Sequence, residues 1–334
     1  MKSNKNIQQL IGSLAILVSV LSTTISCAQV RPITHDPVVA KQGDTYYLFC
    51  TGPGITIFTS TDLKTWKKSD PVFAKFPEWA LDVAPEFNGH IWAPDISFHN
   101  NTYYLYYSVS AFGKNTSAIG VTTNKTLNPN DENYKWEDQG IVIQSEPNRD
   151  MWNAIDPNLI FDENNTPWLA FGSFWSGLKM VKLNANLKEV AKPEEWTTIA
   201  KRDRDNYLED SNAGNAALEG PFIFKKGDYY YQFLSWDYCC RGEKSTYKLV
   251  VGRSKSVTGP YLDKDEKELN KGGGSLVIEG NKNWYGVGHN SVFTFDGKDY
   301  TFMHGYDAND KALPKLIVKE ITWVDGWPTV KPMD

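Results

Sequence analysis

The chain has 334 residues, with 35 Lys and Arg against 40 Asp and Glu, a formal net charge of −5. Lys2 and Lys5 fall in a leader without acids, so the rest of the chain carries −7, and a nucleic-acid binder with clustered Lys and Arg is excluded. The aromatic content, 12 Trp, 17 Tyr and 16 Phe, is high enough to build an aromatic β core and still leave rings for stacking on sugars.

Residues 1–27 read as a secretory signal, with a basic start at Lys2 and Lys5, an apolar stretch over residues 10–21 and small residues around Cys27. The apolar stretch is well short of the ~20 residues that span a bilayer. Thr24-Ile25-Ser26-Cys27 resembles a lipobox, which makes Cys27 the expected lipidated first residue of an exported, membrane-anchored lipoprotein. Thr24 departs from the usual aliphatic residue, and ordinary cleavage beside Ala28 is the alternative, giving a periplasmic or secreted protein. Residues 28–334 are long enough for one large domain or two small ones, and are expected to form one catalytic domain, as a monomer. Of the other three cysteines, Cys50, Cys239 and Cys240, the adjacent pair is not expected to bridge, and no disulfide scaffold is implied.

Helical periodicity is almost absent. Short aromatic runs at 45–49, 102–107, 168–171, 229–233 and 300–303 each follow a Gly, Asn or Asp turn, so five hairpins are predicted. Each leads into a third apolar run, at 55–59, 118–122, 178–182, 247–251 and 316–319, and Trp66 and Trp136 open outer strands. The polar residues that begin the units, Asp36, Asp95, Asp156, Glu219 and His289, are spaced 59, 61, 63 and 70 residues apart. Repetition of a three- to four-stranded unit predicts an all-β, five-bladed β-propeller.

In a propeller the first strand of every blade lines the central channel, so these strand starts meet in space. His35, Asp36, Asp95, Asp156, Glu219 and His289 would then share one cavity, where several acids persist only by sharing protons, binding a cation or doing chemistry. Paired carboxylates suit glycoside hydrolysis, one protonating the leaving oxygen and the other activating water or attacking directly. The sequence offers no nucleophile elbow, zinc spacing or phosphate loop, and Gly272-Gly273-Gly274 reads as a turn.

Several segments carry a more specific likeness: His35-Asp36-Pro37, His90-Ile91-Trp92-Ala93-Pro94-Asp95, Trp152-Asn153-Ala154-Ile155-Asp156-Pro157, Ser173-Phe174-Trp175-Ser176-Gly177, Leu218-Glu219-Gly220-Pro221, Cys239-Cys240 and Gly288-His289-Asn290-Ser291. Together they resemble glycoside hydrolase family 43, in particular its endo-α-1,5-L-arabinanases, from about residue 31 to the C-terminus. The resemblance implies an inverting enzyme with Asp36 as general base, Glu219 as general acid and Asp156 as the group that tunes and orients the acid. It implies calcium, held largely through water near His289, and arabinan or arabino-oligosaccharides as substrate. Sugar contacts are expected from Trp92, Phe112, Gly113, Asn153, Ser173 and Trp175, while Asp95 is expected to make structural hydrogen bonds. Internal cleavage of arabinan is the first expectation. The alternatives are an exo-acting α-L-arabinofuranosidase or β-xylosidase on the same fold, or a carbohydrate-binding propeller without catalysis.

Overall fold

The computed structural model describes residues 31–334. The signal segment and Cys27 therefore lie outside the described residues. What is described is a five-bladed β-propeller, each blade an antiparallel sheet in simple sequential order. Blade 1 comprises Val38–Gln42, Thr45–Cys50, Thr56–Ser60 and Lys67–Ser69, and blade 2 comprises His90–His99, Thr102–Val109, Ser117–Asn124 and Glu137–Ser145. A short strand, Gly52–Pro53, adds to the inner edge of blade 2. Blade 3 is Asn158–Phe161, Pro167–Phe171, Leu178–Lys182 and Trp196–Ala200. Blade 4 is Leu218–Lys226, Tyr229–Trp236, Lys248–Ser254 and Ser275–Glu279, and blade 5 is Trp284–Phe295, Lys298–Asp307, Leu313–Val324 and Trp327–Thr329. One turn of α-helix, Ala80–Val83, and two short 3-10 turns interrupt the β structure.

The aromatic runs form the second strands because both faces of a blade are covered by its neighbours. In blade 1, Tyr47 and Phe49 pack with Ile91, Leu105 and Tyr107 of blade 2. The alternate residues, Tyr46 and Leu48, pack with Phe295, Phe302 and Leu316 of blade 5. Period-two alternation thus sends successive side chains to opposite blade interfaces, and a strand buried on both faces carries no polar face at all. Three further clusters fill the interfaces between blades 2 and 3, 3 and 4, and 4 and 5. The core is five such seams around a polar centre.

The circle closes between blades 5 and 1. Ile33 bridges Lys315, Thr34 N–H donates to the Pro314 carbonyl at 3.1 Å, and Leu316 N–H donates to that of Pro32 at 3.1 Å. Nearer the axis, the Ser291 hydroxyl donates to the Pro37 carbonyl at 2.8 Å. Among the described residues, no helix is long and apolar enough to cross a membrane.

Candidate active site

The head of each blade's first strand has a residue with left-handed backbone: Asp36 (φ 53), Ala93 (φ 42), Asp156 (φ 59), Gly220 (φ 60) and His289 (φ 47). Four of the five precede proline, and the first strands of blades 2, 4 and 5 carry bulges beside them. A left-handed conformation is sterically costly for residues other than Gly, so the surrounding contacts must hold it. The contacts follow a rule. The end of one blade's second strand caps the left-handed N–H at the head of the next blade. Thr51 Oγ1 accepts from Ala93 N–H at 2.8 Å, Ser108 Oγ from Asp156 at 3.0 Å, Ser235 Oγ from His289 at 2.8 Å, and His304 Nδ1 from Asp36 at 3.2 Å.

The exception lies between blades 3 and 4. There the N–H of Gly220 donates to the Asp156 carboxylate at 3.1 Å, and the Ser173 hydroxyl, just beyond the second strand of blade 3, bonds instead to Glu219 Oε2 at 2.7 Å. Tyr247 donates its hydroxyl to Glu219 Oε1 at 2.8 Å. These bonds fix Glu219 from both sides and tie Asp156 to the backbone next to it.

His289 links this pair to Asp36. Its Nδ1 lies 3.1 Å from Asp36 Oδ1, and its ring backs onto Gly220, where an added Cβ would come within 3.1 Å of Nδ1. Burial alone would raise the Asp36 carboxyl, but His289, His304 and His35 and the Thr51 hydroxyl outweigh it and bring it down to about 2. Asp156 moves the other way: burial, with Glu219 and Asp36 nearby, pushes it up to about 8 against the pull of His289 and the Gly220 N–H. Burial also raises Glu219, against its bonds from Ser173 and Tyr247 and the charge of His289. Burial would lower His289, but the three carboxylates raise it. At neutral pH the cavity therefore holds an ionised carboxylate at Asp36 and a carboxyl pair, Asp156 and Glu219, that retains a proton.

The other expected residues divide. Asp95 is buried and does make structural bonds, accepting from Asn158 Nδ2 at 3.2 Å and Leu159 N–H at 2.8 Å. It stands two places beyond Ala93, the residue in phase with Asp36 and Asp156, and its carboxylate is taken up by the first strand of blade 3. Ser173 is buried against Glu219. Asn153 is buried, donating to the Lys114 carbonyl at 3.2 Å while its Oδ1 has no protein partner. Trp92 is half-buried, and Phe112 is 79% exposed in a loop with Gly113 at φ 75. Trp175 corrects its expected sugar contact: it is 1% exposed and its indole N–H donates to the Asp210 carbonyl at 2.9 Å, so its ring is core. A cavity of about 640 Å³ between blades 1 and 2, walled by Tyr47, Phe49, Tyr134 and Trp136, includes none of Asp36, Asp156 and Glu219.

Two expectations fail outright. Cys239 and Cys240 are joined in a disulfide, closed within a turn where Cys240 takes φ 64 and donates its N–H to the Tyr306 hydroxyl at 2.7 Å. Cys239 Sγ lies 3.5 Å from Glu219 Oε1, so the bridge walls the acid's surroundings. The calcium expected at His289 is also overturned. Among the described residues no group of three or more His, Cys, Asp or Glu side chains is placed to hold a metal ion. His289 instead directs Nδ1 to Asp36, and the single imidazole is a poor match for a cation that takes about six to eight oxygen ligands.

The sequence pattern of Glycosyl hydrolases family 43 matches residues 30–328. The chain belongs to this family. Among family 43 relatives, it is 57% identical over 314 residues to the extracellular exo-alpha-(1->5)-L-arabinofuranosidase ArbA of Cellvibrio japonicus, covering 94% of this chain and 90% of that protein. It is 41% identical to the extracellular endo-alpha-(1->5)-L-arabinanase 1 of Bacillus subtilis, covering 89% of this chain and 87% of that one. Its fold superposes with a TM-score of 0.89 on a Cellvibrio cellulosa alpha-L-arabinanase complexed with arabinohexaose, at 58% identity over 90% of this chain and 96% of that one.

Proposed function

We propose that this chain is an inverting glycosidase that cleaves α-1,5-L-arabinofuranosidic linkages of arabinan. The observation that carries this reading is the opposed protonation within one cavity: Asp36 is depressed to about 2, while Asp156, pushed up to about 8, and Glu219 are both raised. Environments that push carboxyl groups apart in this way assign the base and the acid. Asp36 takes a proton from the attacking water. Glu219 delivers a proton to the leaving oxygen, and Asp156, holding the Gly220 N–H beside that acid, orients it and shares the pair's proton with it. Sugar contacts fall to Trp92, Phe112 and Gly113, with Asn153 Oδ1 as an available acceptor.

Asp36→Asn and Glu219→Gln are each expected to lose about a thousandfold or more in kcat on linear arabinan, since each removes a proton-transfer group. NMR of the first product should show the β-anomer. Parental turnover in either variant, or retention of the α configuration, overturns the assignment.

Internal cleavage is the first reading, supported by the endo-acting Bacillus relative. Cleavage from a chain end is the second, favoured by the exo name of the 57%-identical Cellvibrio relative. Viscosity measured against reducing ends on linear arabinan separates them: a steep early viscosity loss per bond cut supports the first, a slow loss the second. The propeller is proposed to act outside the cytoplasm, in line with the extracellular names of both relatives, with Cys27 as its lipid anchor. Labelled palmitate that enters the parent and not a Cys27→Ser variant checks the anchor.

A further inference from the structure

Thr51 belongs to no motif in the sequence, yet its side chain joins two of the left-handed strand heads. It follows the second strand of blade 1, where its N–H donates to the His35 carbonyl at 3.1 Å. Its Oγ1 accepts from Ala93 N–H at 2.8 Å and sits 2.5 Å from Asp36 Oδ2. A hydroxyl has one proton to give. With Ala93 N–H occupying a lone pair, the hydrogen of Thr51 points to Asp36 Oδ2, which must accept. Asp36 Oδ1 faces His289 Nδ1 at 3.1 Å, and the Asp36 N–H is held by His304. Both carboxylate oxygens thus meet donors, at a residue whose backbone is held at φ 53.

We infer that Thr51 is a positioning residue for the reaction: its hydroxyl, oriented by Ala93 of the next blade, sets the rotamer of Asp36 and holds it as an acceptor before the attacking water arrives. This rests on the reading of Asp36 as the general base. A hydroxyl-to-carboxylate bond of this length is charge-assisted and favours the ionised form. The same bond ties the base to blade 2 as well as to blades 1 and 5, so Asp36 is held by three blades at once. The other groups that act on Asp36 are His289, His304 and His35, with Asp156 and Glu219 across the cavity. Cys50, Tyr247 and Tyr306 also sense its charge. Thr51→Val leaves all of these in place and removes only the hydroxyl.

The experiment compares pH profiles of kcat/KM on a short α-1,5-linked arabino-oligosaccharide for the parent, Thr51→Val and Thr51→Ser, with melting temperatures alongside. Thr51→Ala removes the same hydroxyl without bulk if the Val variant does not fold. Loss of the hydroxyl should raise the acid limb by about one pH unit. It should also lower kcat about tenfold or more while KM moves less than about threefold, as expected when a reacting group loses its aim. Thr51→Ser should restore the parental limb. A lower melting temperature with an unmoved acid limb shows a structural role only and overturns the inference, as does a Thr51→Ser profile matching Thr51→Val. Asp36→Asn is the control: if it is inactive while Thr51→Val is unshifted, this inference alone falls. Parental turnover in Asp36→Asn overturns the base reading and this inference with it.

Discussion

Asp156 is a carboxyl that the fold holds against its own preference. Its value in the folded chain, about 8, lies above the ~3.9 of an unfolded aspartate, so it supports the fold only while protonated. That support is complete below about pH 4 and is lost as pH rises through about 8. Asp36 has the opposite sign: its stabilisation is present above about pH 4 and is lost as pH falls through about 2. Asp156→Asn is therefore expected to melt higher than the parent at pH 8, with the difference shrinking toward pH 4, while turnover falls. Melting curves across that range, paired with activity, check both halves, and a lower melting temperature at pH 8 counts against the assignment. The catalytic candidates were legible at this scale because proline follows Asp36, Asp156 and Gly220 directly. Asp95 also stands beside proline, but after it, and two residues further along the strand its carboxylate meets Asn158 and Leu159 of blade 3 instead. The partners Thr51, Ser108, Tyr247 and His304 sit in ordinary strand sequence. Nothing in a one-dimensional pattern marks a hydroxyl that meets its acceptor only after the blades assemble.

The strand is the unit through which those partners act. Each capping side chain stands at the end of a second strand, and the N–H it accepts belongs to the neighbouring blade, so the capping bonds cross the seams. Ser108 is fully buried, and its loss leaves the Asp156 N–H without its protein acceptor. Leaving such a donor unpaired costs about 1–3 kcal/mol. Ser108→Ala is expected to lower stability to chemical denaturant by that amount and to reduce turnover on arabino-oligosaccharides. An unchanged unfolding midpoint would show that the bond is dispensable. The second and third strands were readable because burial on both faces makes them continuous aromatic and β-branched runs. Outer strands such as Trp196–Ala200, Ser275–Glu279 and Trp327–Thr329 leave no such run in the sequence. Each is short, has a single neighbour and carries polar residues, which leaves little pattern to detect.

At the scale of the whole molecule, the five-unit spacing sufficed to predict the propeller, since each unit repeats turn chemistry and hydrophobic order together. The vicinal disulfide was not legible, because closure depends on a left-handed turn at Cys240 that adjacency alone argues against. The seam between blades 5 and 1 has a consequence for time rather than geometry. The Ser291 bond to Pro37 joins residues 254 apart, and His304 reaches Asp36 across 268. Contacts so distant along the chain form late, after loop entropy has been overcome. Asp36 lacks His289 and His304 until blade 5 exists, so a chain short of its last blade has an incomplete site. In refolding from denaturant, tryptophan fluorescence should recover before hydrolytic activity, with the lag set by closure of the last seam. Simultaneous recovery would mean that blade 5 docks as early as the others. A chain with this order of events acquires its cutting site only as the ring closes.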